Sequence, residues 1–291
     1  MTEPAVMPDP ADPRLTRRVA GVDQDGRAVE ATIVVERPLT LFLNGQEIVT
    51  MMTIGDHPDW LAVGYLLNQN MLRADDVVTA IDHDDDTETV VVRTEARTDF
   101  EAKLRKKTLT SGCAQGTAFG DVMEKFATVE LPHAARLRTS WLYRLMRAIN
   151  TAPSLYLEAG AIHGCALCRE DEVLAYMEDV GRHNAIDKIA GWMFLRNVPP
   201  GDKIFYTTGR LTSEMVIKCV QMGIPILVSR SGFTAWGVEL ARQAGLTLIG
   251  RARGGRFIVL SGDERIIRDA DARIVAEEDR RARRKGAGDD G

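Results

Sequence analysis

Cysteine is scarce in this sequence, with four residues in a chain of 291. So few cysteines cannot build a disulfide scaffold, and they are typical of a reducing compartment. No apolar run approaches the roughly 18 residues that a membrane-spanning helix needs, which argues against an integral membrane protein. The N-terminus, MTEPAVMPDPADPR, lacks the basic patch and apolar core of a signal peptide. We therefore expect a cytoplasmic protein without a membrane partner.

The sequence also lacks a strong excess of charge of one sign. Its 37 Lys and Arg residues face 42 Asp and Glu residues, a net charge of −5, which argues against a dedicated nucleic-acid binder. Neither a Walker-type phosphate loop nor a Gly-x-Gly-x-x-Gly motif is present, so the standard nucleotide-binding folds do not fit. The hydrophobic fraction of 45% is ordinary for a globular protein.

Turn signals divide the chain into a mostly β part and a part in which strands and helices alternate. Asp25-Gly26 and Asn44-Gly45 predict two-residue hairpin turns, and Pro58 predicts a helix start. Residues 82–86 predict an acidic turn before a strand over 87–94. The predicted segments are a flexible tail (1–15), a smaller N-terminal α/β domain (16–107), a mobile cysteine loop (108–120), a larger domain (121–262) and a charged tail (263–291).

In the larger domain, strands and helices follow each other in a regular order. A hairpin is predicted around 169–172, and three helices are predicted over 184–196, 213–222 and 235–244, the last two ending at glycine. Strand–helix–strand succession predicts a mainly parallel sheet with helices on its faces, antiparallel where hairpins occur. The expected fold class is therefore α/β.

Cys113 is the first candidate for chemistry. It lies in TLTSGCAQG, a segment of small and hydroxyl residues that cannot pack a core, a few residues after a basic run that includes Lys106 and Lys107. Nearby positive charge lowers the pKa of a thiol and favours the reactive thiolate. This setting indicates a reactive or sulfur-carrying cysteine, although a surface cysteine without a role remains an alternative.

The other three cysteines fit packing better than chemistry. Cys165 and Cys168 form a Cys-x-x-Cys pair, a spacing that occurs in zinc and redox sites. On a strand, however, residues three apart point to opposite faces, so these thiols cannot easily share a metal ion. Cys219 falls among apolar residues on a predicted helix. We therefore expect three core cysteines and no metal site.

Turns with glycine, arginine and hydroxyl residues recur at the predicted strand ends. In a parallel sheet such turns gather at the carboxyl edge, where ligands bind, and arginine forks suit bidentate phosphate contacts. The pattern predicts a pocket for a ligand with several phosphates; capped loops with solvated arginines are the alternative. The candidate residues are Arg182, His183, Gly209, Arg210, Ser229, Arg230, and Arg251, Arg253 and Arg256 around Gly254-Gly255.

Two further sets of residues have open roles. His163 and His183 fit either a catalytic or ligand-orienting role or an ordinary hydrogen-bonded one. Glu178-Asp179 and Asp187 could orient Arg182 or Lys188, or cap a helix.

Five motifs in this order resemble the FdhD family of formate dehydrogenase accessory sulfurtransferases. The resemblance extends from about residue 30 to 262. It includes the segment HPDWLAVGYLLNQNML, which resembles a helix that precedes the five motifs in the family. The family resemblance implies a small N-terminal α/β domain and a larger domain with a three-layer, mixed-sheet, cytidine-deaminase-like fold. The motifs are TLTSGCAQG, GAIHGCALC, EDVGRHNAIDKIAGW, TTGRLTSEMVIKCVQMGIPILVSRS and GLTLIGRARGGRF.

The resemblance also implies a sulfur-relay function. Such proteins take sulfur from a cysteine desulfurase as a cysteine persulfide and pass it to the molybdenum (or tungsten) bis-guanine-dinucleotide cofactor of formate dehydrogenase. By position, Cys113 would hold the persulfide, and the segment from Arg251 through Ala252 to Arg256 would contact the cofactor. Many relatives carry a second loop cysteine where this chain has Gly116, so a single-cysteine relay is expected. A homodimer is expected from relatives.

Two other functions compete with the sulfur relay. A noncatalytic chaperone would hold the molybdenum cofactor and dock to its client, with Cys113 irrelevant. A zinc-dependent deaminase needs a His/Cys-x-Glu motif and a Pro-Cys-x-x-Cys motif. His163-Gly164-Cys165 has no such glutamate, and neither Cys165 nor Cys168 follows proline, so this function fits the sequence least.

Overall fold

A computed structural model describes residues 8–95, 107–109, 116–275 and 277 of the chain. The first part contains two small sheets and one helix. Strands β1 and β2 form an antiparallel pair, and four further strands form a sheet in the order β4-β3-β6-β5. Their bounds are β1 Thr16–Val22, β2 Ala28–Val34, β3 Arg37–Leu43, β4 Gln46–Thr53, helix α1 Pro58–Asn68, β5 Val78–Asp84 and β6 Thr89–Thr94.

One predicted turn and the predicted helix start of this part are confirmed, and two predicted turns differ in the structure. The two-residue turn at Asn44-Gly45 joins β3 to β4, and α1 begins at Pro58. The turn at Asp25-Gly26 is wider than two residues, because the carboxylate of Asp23 accepts hydrogen bonds from the backbone N–H groups of Asp25 and Arg27. The acidic turn predicted over 82–86 begins later, since β5 continues to Asp84 as an exposed strand.

The larger part of the chain is built around a six-stranded mixed sheet in the order β11-β10-β12-β13-β14-β15. Only β12–β13 and β13–β14 pair in parallel, so the expectation of a mainly parallel sheet is wrong. The other three strand pairs of this sheet are antiparallel. They are the hairpins β10–β11 and β14–β15, and the pair β10–β12. The strands are β10 His163–Arg169, β11 Glu172–Asp179, β12 Lys203–Thr207, β13 Ile226–Ser229, β14 Thr247–Arg253 and β15 Arg256–Ser261.

Helices cover both faces of this sheet, which gives three α/β/α layers. Four helices contribute to the core on one face, and one long helix packs on the other. The former are α2 Phe119–Thr128, α5 Arg182–Leu195, α6 Ser213–Gln221 and α7 Ala235–Gln243; the latter is α3 Thr139–Thr151, which precedes the short helix α4 Leu155–Ala159. The α/β fold class is thus confirmed, whereas the specific likeness to cytidine deaminases stays a prediction.

The predicted helices of this part are confirmed with small shifts at their ends. The helix predicted over 184–196 begins two residues earlier, at Arg182, because the carbonyl of Gly181 already accepts a hydrogen bond from Ala185 N–H. Gly223 and Gly245 follow α6 and α7 with φ of 73° and 64°, in the left-handed region that favours glycine.

Two short strand pairings complete the described chain. Strands β7 Lys107–Leu109 and β8 Gly116–Ala118 pair antiparallel, and β9 Leu137–Arg138 pairs with β16 Ile266–Ile267 after a short 3₁₀ helix. Ile266 and Arg265 are buried, so the chain remains packed beyond residue 262. No described helix has the length and apolarity needed to cross a membrane.

Helix α1 packs directly on α5 and joins the four-stranded sheet to the larger part. The core under α1 includes Leu61, Val63 and Leu66 and extends to Phe194 and Leu195 of α5. This contact places the residues after β4 beside the start of α5, next to the candidate site. The predicted domain boundaries themselves stay a prediction.

Candidate functional site at one edge of the six-stranded sheet

One edge of the six-stranded sheet collects the predicted ligand-binding turns. Strands β12 and β13 end side by side at Thr207 and Ser229. Strand β10 runs the opposite way and begins at this edge with His163, and β11 ends there at Asp179, just before α5. The backbone N–H of Arg251 donates to the carbonyl of Ser231 at 2.9 Å, which brings the β14 segment to the same edge.

Short hydrogen bonds fix the turns after β12 and β13 to each other. The Thr207 hydroxyl accepts from the backbone N–H of Gly209 at 3.0 Å. The Ser229 hydroxyl donates to the Gly209 carbonyl at 2.6 Å and accepts from Ser231 N–H at 2.9 Å. Ser229 is fully buried, so its hydroxyl shapes the two turns from within the fold.

Arg182 and His183 begin helix α5 and are both largely buried. A Cβ atom added to Gly209 would lie 2.9 Å from Cδ of Arg182, so the glycine allows the arginine stem to pass close to the turn. His183 Nε2 lies 3.0 Å from a carboxylate oxygen of Glu214. Burial lowers the pKa of His183, and the hydrogen bond with Glu214 partly opposes that shift.

His163 is surrounded by cationic groups at this edge. Burial lowers its pKa, and the charges of Arg182, Arg210, His183 and Arg230 lower it further. Three arginines from three different turns therefore act on one imidazole. This convergence creates a local positive potential in a protein whose net charge is −5, as an anion-binding site requires.

Arg230 is held against an aromatic ring. Its guanidinium carbon lies 4.5 Å from the ring centroid of Tyr156 on α4, and its Nη1 donates to Asn150 Oδ1 at 3.4 Å. The two residues share a cavity of about 290 Å³. Its lining residues are Tyr156, Gly160, Ala161, Ile162, His163, Val180, Thr208 and Arg230.

The Arg251–Arg256 hairpin projects arginines outward from the sheet. Arg251, Arg253 and Arg256 are exposed, whereas Ala252 is fully buried in the core under α3. The turn between β14 and β15 is formed by Gly254 and Gly255, with φ of 58° and 79°. Arg251 lies 5.5 Å over the ring of Phe233, beside the turn that contains Arg230.

A buried polar network connects this edge to the N-terminal sheet and decides between the roles left open for the acidic residues. The ammonium of Lys188 lies 2.5 Å from the carboxylate of Asp179 and also bonds to Asp56. Asp179 accepts a further hydrogen bond from Thr53 at 2.5 Å. Burial lowers the pKa of Lys188, but the two carboxylates outweigh it and raise the pKa overall.

The neighbouring acidic residues have separate partners. Asp187 pairs with Lys218 at 2.7 Å and accepts from the amide of Asn68 at 2.6 Å. Glu178 accepts from backbone N–H groups at the start of α4. Asp179 and Asp187 therefore pair with lysines, and Glu178 caps a helix.

Several of these residues carried no recognisable sequence signal. Tyr156 sits on a five-residue helix that the sequence analysis did not predict, and Asp56 and Thr53 are separated from Asp179 by more than a hundred residues. Lys188 gave a hint, because it stands beside the apolar residues Ile186 and Ile189 on its helix, and a buried lysine needs acidic partners.

The two cysteines of the Cys-x-x-Cys pair lie in different cores. Cys165 packs on the α5 and α6 side of the sheet, and Cys168 packs on the α3 side. The prediction that they point to opposite faces is confirmed, as is the buried position of Cys219. Within the described part of the chain, no group of three or more His, Cys, Asp or Glu side chains is arranged to hold a metal ion.

Cys113 lies outside the described residues, as does the rest of the segment 110–115. The strands on either side of it, β7 and β8, pair with Leu109 opposite Gly116.

Comparisons with known proteins agree on one family. The model of the FdhD/NarQ family matches residues 34–267. Over 256 residues the chain is 30% identical to the sulfur carrier protein FdhD of Listeria innocua, covering 87% of this chain and 97% of that protein. It is 32% identical over 249 residues to the protein of the same name from Wolinella succinogenes, covering 84% and 86%.

A solved structure shares the fold. The chain superimposes with a TM-score of 0.70, at 26% sequence identity, on the crystal structure of "a putative formate dehydrogenase accessory protein" from Desulfotalea psychrophila, covering 87% of this chain and 98% of that one.

Proposed function

Because this chain belongs to the FdhD/NarQ family, we propose that it is a sulfur carrier required for formate dehydrogenase activity. In this proposal Cys113 accepts sulfur from a cysteine desulfurase and passes it to the molybdenum bis(molybdopterin guanine dinucleotide) cofactor. The observation that carries the proposal is the family match over residues 34–267, which includes Cys113 and its motif.

The first step is a thiol–persulfide exchange. The Cys113 thiolate attacks the outer sulfur of the desulfurase persulfide, and a new S–S bond forms between them. The bond from that sulfur to the desulfurase cysteine breaks, and this cysteine leaves as a thiolate, so the exchange needs no external oxidant or reductant. The reaction requires one thiolate and no second thiol, which agrees with glycine at position 116.

The second part of the proposal concerns the substrate that receives the sulfur. A dinucleotide cofactor carries several phosphates, and arginine side chains bind phosphates through paired, charge-assisted hydrogen bonds. The cations around His163 and the exposed arginines of the Arg251–Arg256 hairpin supply such groups at one edge of the sheet. Sulfur is also a soft ligand of the kind that many transition metals accept.

The sulfur relay is tested by replacing Cys113 with serine in a strain that lacks its own copy of the protein. We expect the client formate dehydrogenase to lose its activity with C113S and to keep it with the control C165A, since Cys165 is buried. Full client activity with C113S would refute the relay and support a noncatalytic chaperone that holds the cofactor.

The contact with the cofactor is tested separately with guanosine diphosphate. We expect Arg256→Ala to weaken its binding, measured by isothermal titration calorimetry, and Arg169→Ala to leave it unchanged. Arg169 is an exposed arginine at the opposite end of β10 from His163. Unchanged affinity in Arg256→Ala would exclude the hairpin from the binding site.

A further inference from the structure

Strand β15 forms one edge of the six-stranded sheet, and no described strand pairs with its outer side. An edge strand presents unpaired backbone N–H and C=O groups, which proteins usually protect with lysine, proline or a covering element. Residues 257–261 of β15, with the sequence FIVLS, contain no charged residue and no proline. Every residue of the strand is exposed or partly exposed. The outer side of β15 is therefore open to a further strand.

An apolar surface lies beside the middle of this edge. Ile258 is opposite Gly250 of β14, so the two residues point to the same face of the sheet. A Cβ atom on Gly250 would lie 2.7 Å from Cδ1 of Phe233, so the phenyl ring occupies the space that a side chain there would need. Ile258 is 41% exposed, and Phe233 is partly exposed. The two side chains thus offer a packing surface to a residue of an added strand.

An irregular backbone places Arg251 at the same surface. Its φ of 54° lies in the left-handed region, which non-glycine residues rarely adopt. The register of β14 and β15 shifts between Gly250 and Arg253, and a β-bulge of this kind re-aims a side chain. The guanidinium carbon of Arg251 lies 5.5 Å from the ring centroid of Phe233, and the residue is exposed. Strained backbone of this kind concentrates at functional positions, which favours a binding role for Arg251.

The charges beside this edge favour an acidic partner. Arg251 lies towards the hairpin end of β15. Towards the other end, Arg242 of α7 donates from Nε to the carbonyl of Leu260 at 3.2 Å. Both arginines are exposed, and Glu239 is the one acidic residue of α7. Carboxylates on an added strand would meet a cation at each end of the apolar surface, which is electrostatically complementary.

A second copy of the same strand fits this edge less well. If two β15 strands paired about a two-fold axis perpendicular to the sheet, the same face of both sheets would lie on one side. Arg251 and Arg242 of both copies would then gather on that side, where like charges oppose association. Asp263 and Glu264, which follow the strand, already pair with arginines of their own chain.

We propose that the outer edge of β15 binds an extended acidic segment of a partner protein, which adds to the sheet as a further strand. Backbone hydrogen bonds along β15 hold the segment. One of its apolar side chains packs on Ile258 and Phe233, and its carboxylates pair with Arg251 and Arg242. The inference goes beyond the sulfur relay and does not depend on it, because no part of it uses Cys113.

Fluorescence anisotropy with labelled peptides tests the strand addition on the full-length protein. The probe is a peptide of alternating glutamate and valine. One comparison peptide has lysine in place of glutamate, and the other is N-methylated throughout and so lacks backbone N–H donors. We expect the acidic probe to bind at least about tenfold more tightly than either comparison peptide. Equal binding of the N-methylated peptide, equal binding of the lysine peptide, or no binding of the probe would overturn the proposal.

Variants of exposed residues locate the binding surface. Ile258→Glu places a like charge against the acidic probe and should weaken its binding about tenfold or more. Arg251→Gln should weaken it about two- to fivefold, as the loss of an exposed ion pair does. The controls are Val22→Glu, at a 74% exposed position of β1, and Arg169→Gln, at the exposed end of β10; both should keep wild-type affinity.

Two results with these variants would show that the probe binds elsewhere and overturn the proposal. They are wild-type affinity in Ile258→Glu and an equal loss in Val22→Glu. Circular dichroism checks that each variant is folded. Should Ile258→Glu fail to fold, the comparison of Arg251→Gln with Arg169→Gln locates the surface, and equal affinities of that pair would overturn the proposal.

Sedimentation velocity separates the acidic segment from a second copy of this chain. We expect the wild type and Ile258→Glu to have the same sedimentation coefficient. A wild type that self-associates beside a monomeric Ile258→Glu would assign the edge to a homodimer and overturn the proposal. The sulfur adduct on Cys113 is measured by mass without the probe, so the relay and the docking edge can fail independently.

Discussion

Gly64 and Gly191 face each other where α1 crosses α5, at a distance that admits no side chain. A Cβ atom on Gly64 would lie 1.7 Å from the carbonyl oxygen of Asp187, and one on Gly191 would lie 2.0 Å from the carbonyl oxygen of Trp60. The backbones of the two helices are in direct contact here. The position of the N-terminal sheet relative to the candidate site therefore depends on the absence of a side chain at both glycines.

Gly64→Ala should destabilise the protein strongly. Alanine gains roughly 1 kcal/mol in helix propensity over glycine, but the clash forces two helices apart and should lower the free energy of unfolding by about 3 kcal/mol. Urea denaturation measures the difference. Gly45→Ala is the control, because no atom lies within 4 Å of its added Cβ; equal stability of the two variants would contradict the close packing.

The sequence predicted part of this arrangement and not the rest. The spacing of Trp60, Gly64 and Leu67 after Pro58 indicates a helix with a buried face, and α1 confirms that helix, but it ends at Asn68, before Met71, which follows the same spacing. The crossing with Gly191 could not be predicted, because the contact joins segments more than a hundred residues apart in sequence. Local periodicity identifies a buried face but not its partner.

The candidate site shows the same division. Glycine, arginine and hydroxyl residues marked the turns at Arg182, Gly209 and Arg230, since turn chemistry is local. No local sequence pattern identified Tyr156, because its contacts with Glu178 and Arg230 join segments that lie apart in the sequence. The antiparallel pairing of β10 with β12 could likewise not be predicted from the sequence, because long-range packing sets the direction of a strand.

Removing Lys188 should destabilise the fold through its acidic partners. Lys188 and Asp179 are both fully buried, and a buried charge that loses its partner costs about 3–5 kcal/mol. We expect Lys188→Met to lower the free energy of unfolding by that amount in urea denaturation. Arg169→Gln breaks the exposed pair with Glu172 and should cost less than about 1 kcal/mol. Similar costs for both variants would contradict the network.

The three buried thiols should resist alkylation in the folded protein. Burial raises the pKa of Cys165 to about 12 and raises those of Cys168 and Cys219 as well, so very little thiolate exists at pH 8. We expect iodoacetamide to modify Cys113 in native protein and the other three cysteines only after unfolding, as read by peptide mass spectrometry. Native modification of Cys165 would contradict its buried position.

Asp269 should make stability depend on pH at the acidic end. The backbone N–H of Ser140 donates to its carboxylate at 3.0 Å, and this bond, with others from Ser140, Arg138 and Thr139, holds the pKa of the exposed Asp269 well below its usual range. A depressed folded pKa stabilises the native state above the unfolded value of about 3.9. That stabilisation is lost as the pH falls towards the folded pKa.

The measurement compares free energies of unfolding at pH 7 and pH 3. Asp269→Asn should be less stable than wild type at pH 7. The difference between their free energies of unfolding should be smaller at pH 3. The exposed Asp75→Asn variant should show no such convergence. A gap that is the same at both pH values would show that ionised Asp269 is not the cause.

The central claim is that Cys113 carries the sulfur. The most direct measurement is the intact mass of the protein after incubation with a cysteine desulfurase and cysteine, before and after addition of a thiol reductant. The account predicts a wild-type adduct of one sulfur atom that maps to Cys113, disappears on reduction and is absent from Cys113→Ser. An adduct on Cys165, or an unchanged adduct in Cys113→Ser, would contradict it.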